Sequence, residues 1–141
     1  MIHKIYSRID PSILLHIIFK KETSLEDFSN VKREEISEPD QCLQAMFLNV
    51  PAQTQVKPHI HNSQERHTYQ THEGLLVFKG SIELSIYDID NSFVEKHVLH
   101  EGDFYMIVNG GHSMKTLTPA HLFEFKNGPY YGPEKDKKAI N

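Results

Sequence analysis

Two histidines stand two apart in the stretch Pro58-His59-Ile60-His61. On a strand, residues two apart project to the same face, so both imidazoles point one way and Ile60 the other. A neutral imidazole offers one lone pair, and two rings on one face can bind a common metal ion. Such a pair also arises on exposed strands that bind nothing. The chain holds ten histidines, and this count is its one compositional pointer to chemistry. Its single cysteine, Cys42, excludes an internal disulfide and any paired-cysteine metal or redox motif.

The segments that must position these groups read as strands. Ile2–Ile9 and Ile13–Phe19 are rich in β-branched residues, and Asp10-Pro11-Ser12 between them is good turn chemistry, so 2–19 is expected to form a hairpin. Glu22–Asp40 is polar and charged and reads as a loop with at most a helical turn. Ala45–Val50 reads as a strand, and Val56–His61 as a short extended piece, since Pro58 biases its predecessor toward β. Leu75–Phe78, Ser81–Tyr87, Phe93–Leu99, Phe104–Val108, Ser113–Leu117 and His121–Lys126 complete the set. Ser81–Tyr87 alternates cleanly, with Ile82, Leu84 and Ile86 on one face. Many short strands with turn signals between them indicate an all-β sandwich or barrel. Gly128–Asn141 is a polar tail whose charge run, Glu134 to Lys138, reads as solvated.

With 141 residues the chain suits one domain. Its 38% hydrophobic and 24% charged residues are ordinary for a globular protein. A net charge of −4 gives no electrostatic reason to expect nucleic acid as a partner. The run Ile13–Phe19 is interrupted by His16 and is far shorter than the ~20 apolar residues of a membrane helix. The basic start and small-residue cleavage site of a signal peptide are missing, so a cytoplasmic protein with no membrane partner is expected.

The order of these features resembles the two motifs of the cupin superfamily. His59-x-His61 is followed by Glu73, which has six residues between it and Gly80, then by the Gly102-Asp103 turn, the strand Phe104–Val108 and Gly110-Gly111-His112. The resemblance implies a single-domain antiparallel jelly-roll barrel over 1–127, including the hairpin 2–19, with 128–141 as the tail. It also implies that His59, His61, Glu73 and His112 bind one divalent metal ion. The chain departs from the family pattern in placing eleven residues between His61 and Glu73, and Val108 where the second motif has proline. Glu65 keeps the shorter spacing and is the rival carboxylate. A closer resemblance is to small bacterial cupin-like proteins of surface-polysaccharide gene clusters, related to the WbuC-type cupin metalloproteins. It rests on Pro58–Asn62, the insert from Arg66 to Glu73, Gly110-Gly111-His112, Glu124 to Tyr130, and Asp136-Lys137.

An imidazole and carboxylate set suits Fe, Mn, Ni, Co, Cu or Zn alike. If Glu73 points inward, alternation carries Thr71, Leu75 and Val77 with it; if His112 does, Met114 and Thr116 follow. In His121–Lys126, Phe123 and Phe125 share one face and Leu122, Glu124 and Lys126 the other. The resemblance hints that Glu124 and Lys126 face a polar interior. Glu124 is then a general-base candidate and Tyr69 a second proton carrier. Arg66, Lys126, Tyr130 and Thr71 are candidate substrate contacts. The expected activity is metal-dependent isomerase, epimerase or lyase chemistry on a polar carbohydrate or nucleotide-sugar. The alternatives are an Fe(II) dioxygenase, a non-catalytic metal- or sugar-binding module, and a metal-free epimerase-like protein using His and Tyr. The apolar strand Ile13–Phe19 would be a hazard as a bare edge, so a homodimer using Ile2–Phe19 is expected.

Overall fold

The computed structural model describes residues 1–21 and 32–140. Among them are ten strands and one short helix. The strands are β1 (Ile2–Tyr6), β2 (Leu14–Phe19), β3 (Lys32–Glu35), β4 (Met46–Asn49) and β5 (Glu73–Lys79). They continue with β6 (Ser81–Tyr87), β7 (Phe93–His100), β8 (Phe104–Ile107), β9 (Gly111–Thr116) and β10 (His121–Lys126), and α1 is Pro133–Asp136. All pairings are antiparallel. A five-stranded sheet runs β1-β2-β8-β5-β10, a three-stranded sheet runs β7-β6-β9, and β3 pairs with β4. No helix among the described residues is long and apolar enough to cross a membrane.

The two larger sheets bury their facing sides in one core. Ile18, Leu75, Val77 and Tyr105 come from the five-stranded sheet, and Ile82, Leu84, Ile86 and Leu99 from the three-stranded one. The clean alternation of Ser81–Tyr87 produces this inward row directly. A second core covers part of the outer side of the large sheet. There Ile17, Phe19 and Met106 pack with Ile36, Phe47 and Leu43, and the Phe19 and Phe47 rings stack 5.2 Å apart.

The N-terminal hairpin forms as its sequence predicts, with Ile2 opposite Phe19 and Ile5 opposite His16. β2 lies between β1 and β8 and is buried along its whole length. It is therefore no bare edge, and the edge this hairpin offers is β1.

Two expectations change. Lys32–Glu35 fell in the polar loop but is a strand, because pairing with β4 supplies what its charged side chains do not. The rest of that loop, 22–31, lies outside the described residues. Val56–His61 belongs to no strand, and its residues are exposed. Pro58 has no N–H to give a ladder, and no neighbouring strand pairs with the segment.

Candidate functional site

One row of registered residues crosses the inner face of the large sheet. His16 on β2 sits opposite Ile107 on β8, Ile107 opposite Glu73 on β5, and Glu73 opposite Lys126 on β10. Glu73, Leu75 and Val77 are all buried, as alternation requires once Glu73 points inward. Glu124 pairs with Leu75 and so shares this inner face, while Phe123 and Phe125 stand half-exposed on the outer one.

His112 reaches the same row from the other sheet. It is the second residue of β9, opposite Ile86, whose side chain is fully buried between the sheets. Its Nε2 lies 3.8 Å from Glu73 Oε1. Its Nδ1 shares a 3.2 Å hydrogen bond with the Tyr105 hydroxyl. The His16 ring lies 6.5 Å from it, centroid to centroid. Met114 and Thr116 do follow His112 onto the face of Leu84 and Ile82, but β9 is an edge strand and leaves them exposed.

The cleft at this end of the two sheets has a volume of about 860 Å³. Glu73, Thr71 and Lys126 line one wall, and His112, Ser113 and Tyr87 the other. The tail folds back across it. Ile140 packs so closely on Gly111 that a Cβ there would run into it. Lys137 Nζ comes to 3.9 Å from Glu73 Oε2. The tail was expected to be solvated; its Lys and Glu residues are largely exposed, yet the segment from Asp136 to Ile140 lines the cleft. An apolar residue so near the chain's end carries that contact.

Burial sets the electrostatics. Glu73 is pushed above the usual carboxylate range, first by burial and then by nearby Glu124, while Lys137 and Lys126 pull it back. His112 is lowered by burial and by the Lys137 ammonium, against Glu124. The Tyr105 phenol is raised by burial and by Glu73 and Glu124. His16 is 0% exposed, and neither ring nitrogen makes a hydrogen bond of ordinary geometry. Desolvation, helped by His112, holds it down to about 3, and the Gly111 backbone opposes this only weakly.

The structure thus brings Glu73, His112, Thr71 and Lys126 to one cleft. Lys126 links two more expected residues to it: its Nζ is 3.4 Å from Glu124 Oε1 and 4.3 Å from the centre of the Tyr130 ring. The other expected residues lie on the exposed stretch before β5. The His59 and His61 rings stand side by side, 5.3 Å apart, with His59 Nδ1 3.0 Å from the Lys57 carbonyl. Neither ring forms a metal-binding group with Glu73 and His112 among the described residues. Tyr69 is 100% exposed, and Arg66 reaches only the Gln64 carbonyl. Glu65 pairs with His67 at 3.0 Å, both well exposed, so of the two rival carboxylates Glu73 is the one in the cleft.

Sequence reasoning missed Tyr105, His16 and Lys137. Tyr105 had a signal, since it sits two residues from Ile107 on an inward-facing strand. Lys137 had none beyond the recurring Asp136-Lys137 pair.

Two donors each ~2.1 Å from a divalent ion stand roughly 3–4 Å apart. The 3.8 Å between His112 Nε2 and Glu73 Oε1 fits two positions of such an ion. Among the described residues no three His, Cys, Asp or Glu side chains converge as a metal-binding group. The donors therefore stand as two separate pairs, His112 with Glu73 and His59 with His61. Comparison with protein-family models, with curated proteins and with solved structures finds no match for this chain.

Proposed function

We propose that the protein is a metal-binding small cupin of the jelly-roll type. Its cleft carries out isomerase, epimerase or lyase chemistry on a polar carbohydrate or nucleotide-sugar. The observation that carries this reading is the His112–Glu73 pair, two donors from opposite sheets at ligand spacing. The non-sequential strand orders β2-β8-β5-β10 and β6-β9 support the jelly-roll assignment.

In this reading His112 Nε2 and Glu73 would hold a divalent ion, and His59 and His61 would supply a second pair of donors if their exposed segment folded in. With the proton on His112 Nδ1, that N–H would donate its hydrogen bond to the Tyr105 hydroxyl oxygen and leave the Nε2 lone pair for the ion. The ion would polarise a substrate carbonyl or hydroxyl. Glu124, held at Lys126, stands on the same face as Glu73 and takes or returns a proton. Ser113, Tyr87 and Thr71 offer hydroxyls to sugar oxygens. The protein is also proposed to be a homodimer, with β1 as the available edge of its N-terminal hairpin.

A second reading is favoured by the Tyr105–His112 hydrogen bond. There the same cleft works without metal, with His112 and Tyr105 as the acid–base pair and buried Glu73 as their neighbour. Metal analysis of protein purified without a tag separates the two. One divalent ion per chain, lost in His112→Ala and in Glu73→Gln, is expected. Metal that is substoichiometric and unchanged in both variants overturns the metal reading.

A further inference from the structure

The C-terminal segment contributes cations to a cleft otherwise built from strands. α1 ends at Asp136, and the Lys137 backbone N–H bonds the Pro133 carbonyl at 2.9 Å. Lys137 and Lys138 then both line the cleft, and Ile140 pins the segment against Gly111, next to His112. Lys126, on the opposite wall, is committed: it pairs with Glu124 and lies over Tyr130. Lys137 is not. Its nearest carboxylate oxygen is 3.9 Å away, beyond hydrogen-bond reach, and its Nζ donates no hydrogen bond among the described residues. Lys138 likewise makes no side-chain hydrogen bond there. An ammonium group carries three N–H donors. Among the described residues, these six donors make no hydrogen bond at the rim of one polar cleft.

We propose that Lys137 and Lys138 form a subsite for the phosphate group of a phosphorylated or diphosphate-linked sugar, set so that the sugar reaches His112 and Glu73. The inference rests on the cleft being the substrate site of the proposed function, and it names the substrate's class. Asp136, Glu73 and Glu124 balance the three lysines, so the lysines alone do not make the cleft cationic. The attraction is instead local, at the rim, where the Lys137 and Lys138 ammonium groups stand. A neutral sugar would leave these donors to water. A phosphate oxygen converts them to charge-assisted hydrogen bonds. Tyr87 and Phe93, edge to face at 6.1 Å, flank the same opening and offer a surface for a sugar or base.

The test is calorimetric titration of the full chain with glucose 1-phosphate, inorganic phosphate and glucose. Glucose 1-phosphate is expected to bind at least about tenfold more tightly than glucose, the worth of one hydrogen bond to a charged group. Lys137→Met should weaken glucose 1-phosphate about tenfold and leave glucose unchanged, while Lys137→Arg should retain most of the preference. Lys135→Met is the control, because its Nζ stands 5.9 Å from the Tyr131 ring and it does not line the cleft. Equal binding of glucose and its phosphate, no binding of either phosphate probe, or an unchanged affinity in Lys137→Met overturns the subsite. Binding of inorganic phosphate alone, without any gain for the sugar phosphate, overturns the substrate class. Metal content measured on the same samples reports on the proposed function separately. Metal without phosphate preference removes only the subsite, and phosphate preference without metal removes only the metal reading.

Discussion

His112 and Glu73 come from opposite sheets and face each other with 3.8 Å between Nε2 and Oε1. Nothing near them in sequence joins them: Glu73 is set by β5 between β8 and β10, and His112 by β9 against β6. A gap of this width suits an ion shared between the two atoms better than a direct hydrogen bond.

Metal affinity should depend on both halves of the donor set. His112→Ala is expected to abolish binding of Zn(II) or Mn(II) in a chelator competition. A His59→Ala/His61→Ala double variant should lower affinity by about 100-fold or more, the scale on which even supporting groups matter. Binding unchanged in the double variant would confine the ion to His112 and Glu73.

Tyr105→Phe removes the partner of His112 Nδ1 while keeping the buried ring. The expected cost is about 1 kcal/mol of stability by chemical denaturation. Metal affinity should fall about tenfold, because the ring loses the group that fixes its tautomer. A loss of stability with no change in metal affinity would show that the bond is only structural.

Stability should fall in acid through His16. Its folded value, about 3, lies below the ordinary 6.5, so the unfolded chain binds the extra proton between those values. The folded state therefore loses stability as pH drops below about 6.5, by about 2 kcal/mol at pH 5, and the loss levels off near pH 3. Glu73 has the opposite sign: its raised value means that the folded state accepts a proton first, which offsets part of the loss. Denaturant midpoints at pH 7 and pH 5 for the protein and for His16→Gln check this, and an equal drop in both would assign the acid sensitivity elsewhere.

The adjacent glycines at the start of β9, Gly110 before it and Gly111 its first residue, should respond differently to alanine. Gly110 has φ +70°, and a Cβ there would meet the Tyr87 carbonyl, so Gly110→Ala is expected to cost about 2 kcal/mol or more. At Gly111 the obstacle is the end of the Ile140 side chain, which can swing away. Gly111→Ala should leave the midpoint within about 0.5 kcal/mol but release the tail, seen as faster proteolysis after residue 131.

Much of the strand set was legible in the chain. The hairpin over 2–19, Ser81–Tyr87 and His121–Lys126 carry period-two patterns or turn chemistry that local physics reads directly. Lys32–Glu35 was not legible, because a strand of charged residues exists only through its partner. The facing of β10 was ambiguous for a related reason. Two phenylalanines normally mark a core face, yet here they lie outward and Glu124 lies inward beside Glu73.

The motif resemblance put forward Glu73 and His112, with Glu65 as a rival, and alternation put Leu75 and Val77 on the side of Glu73. They could not say which other groups meet there. His16, Tyr105 and Lys137 are 57 or fewer residues from Glu73 in one direction and up to 64 in the other, and only sheet register and the returning tail bring them to it. Alternation is a local property of each strand, because successive side chains must point to opposite faces. Convergence is a property of the strand order, which depends on how the sheets share one core and is written in no single segment.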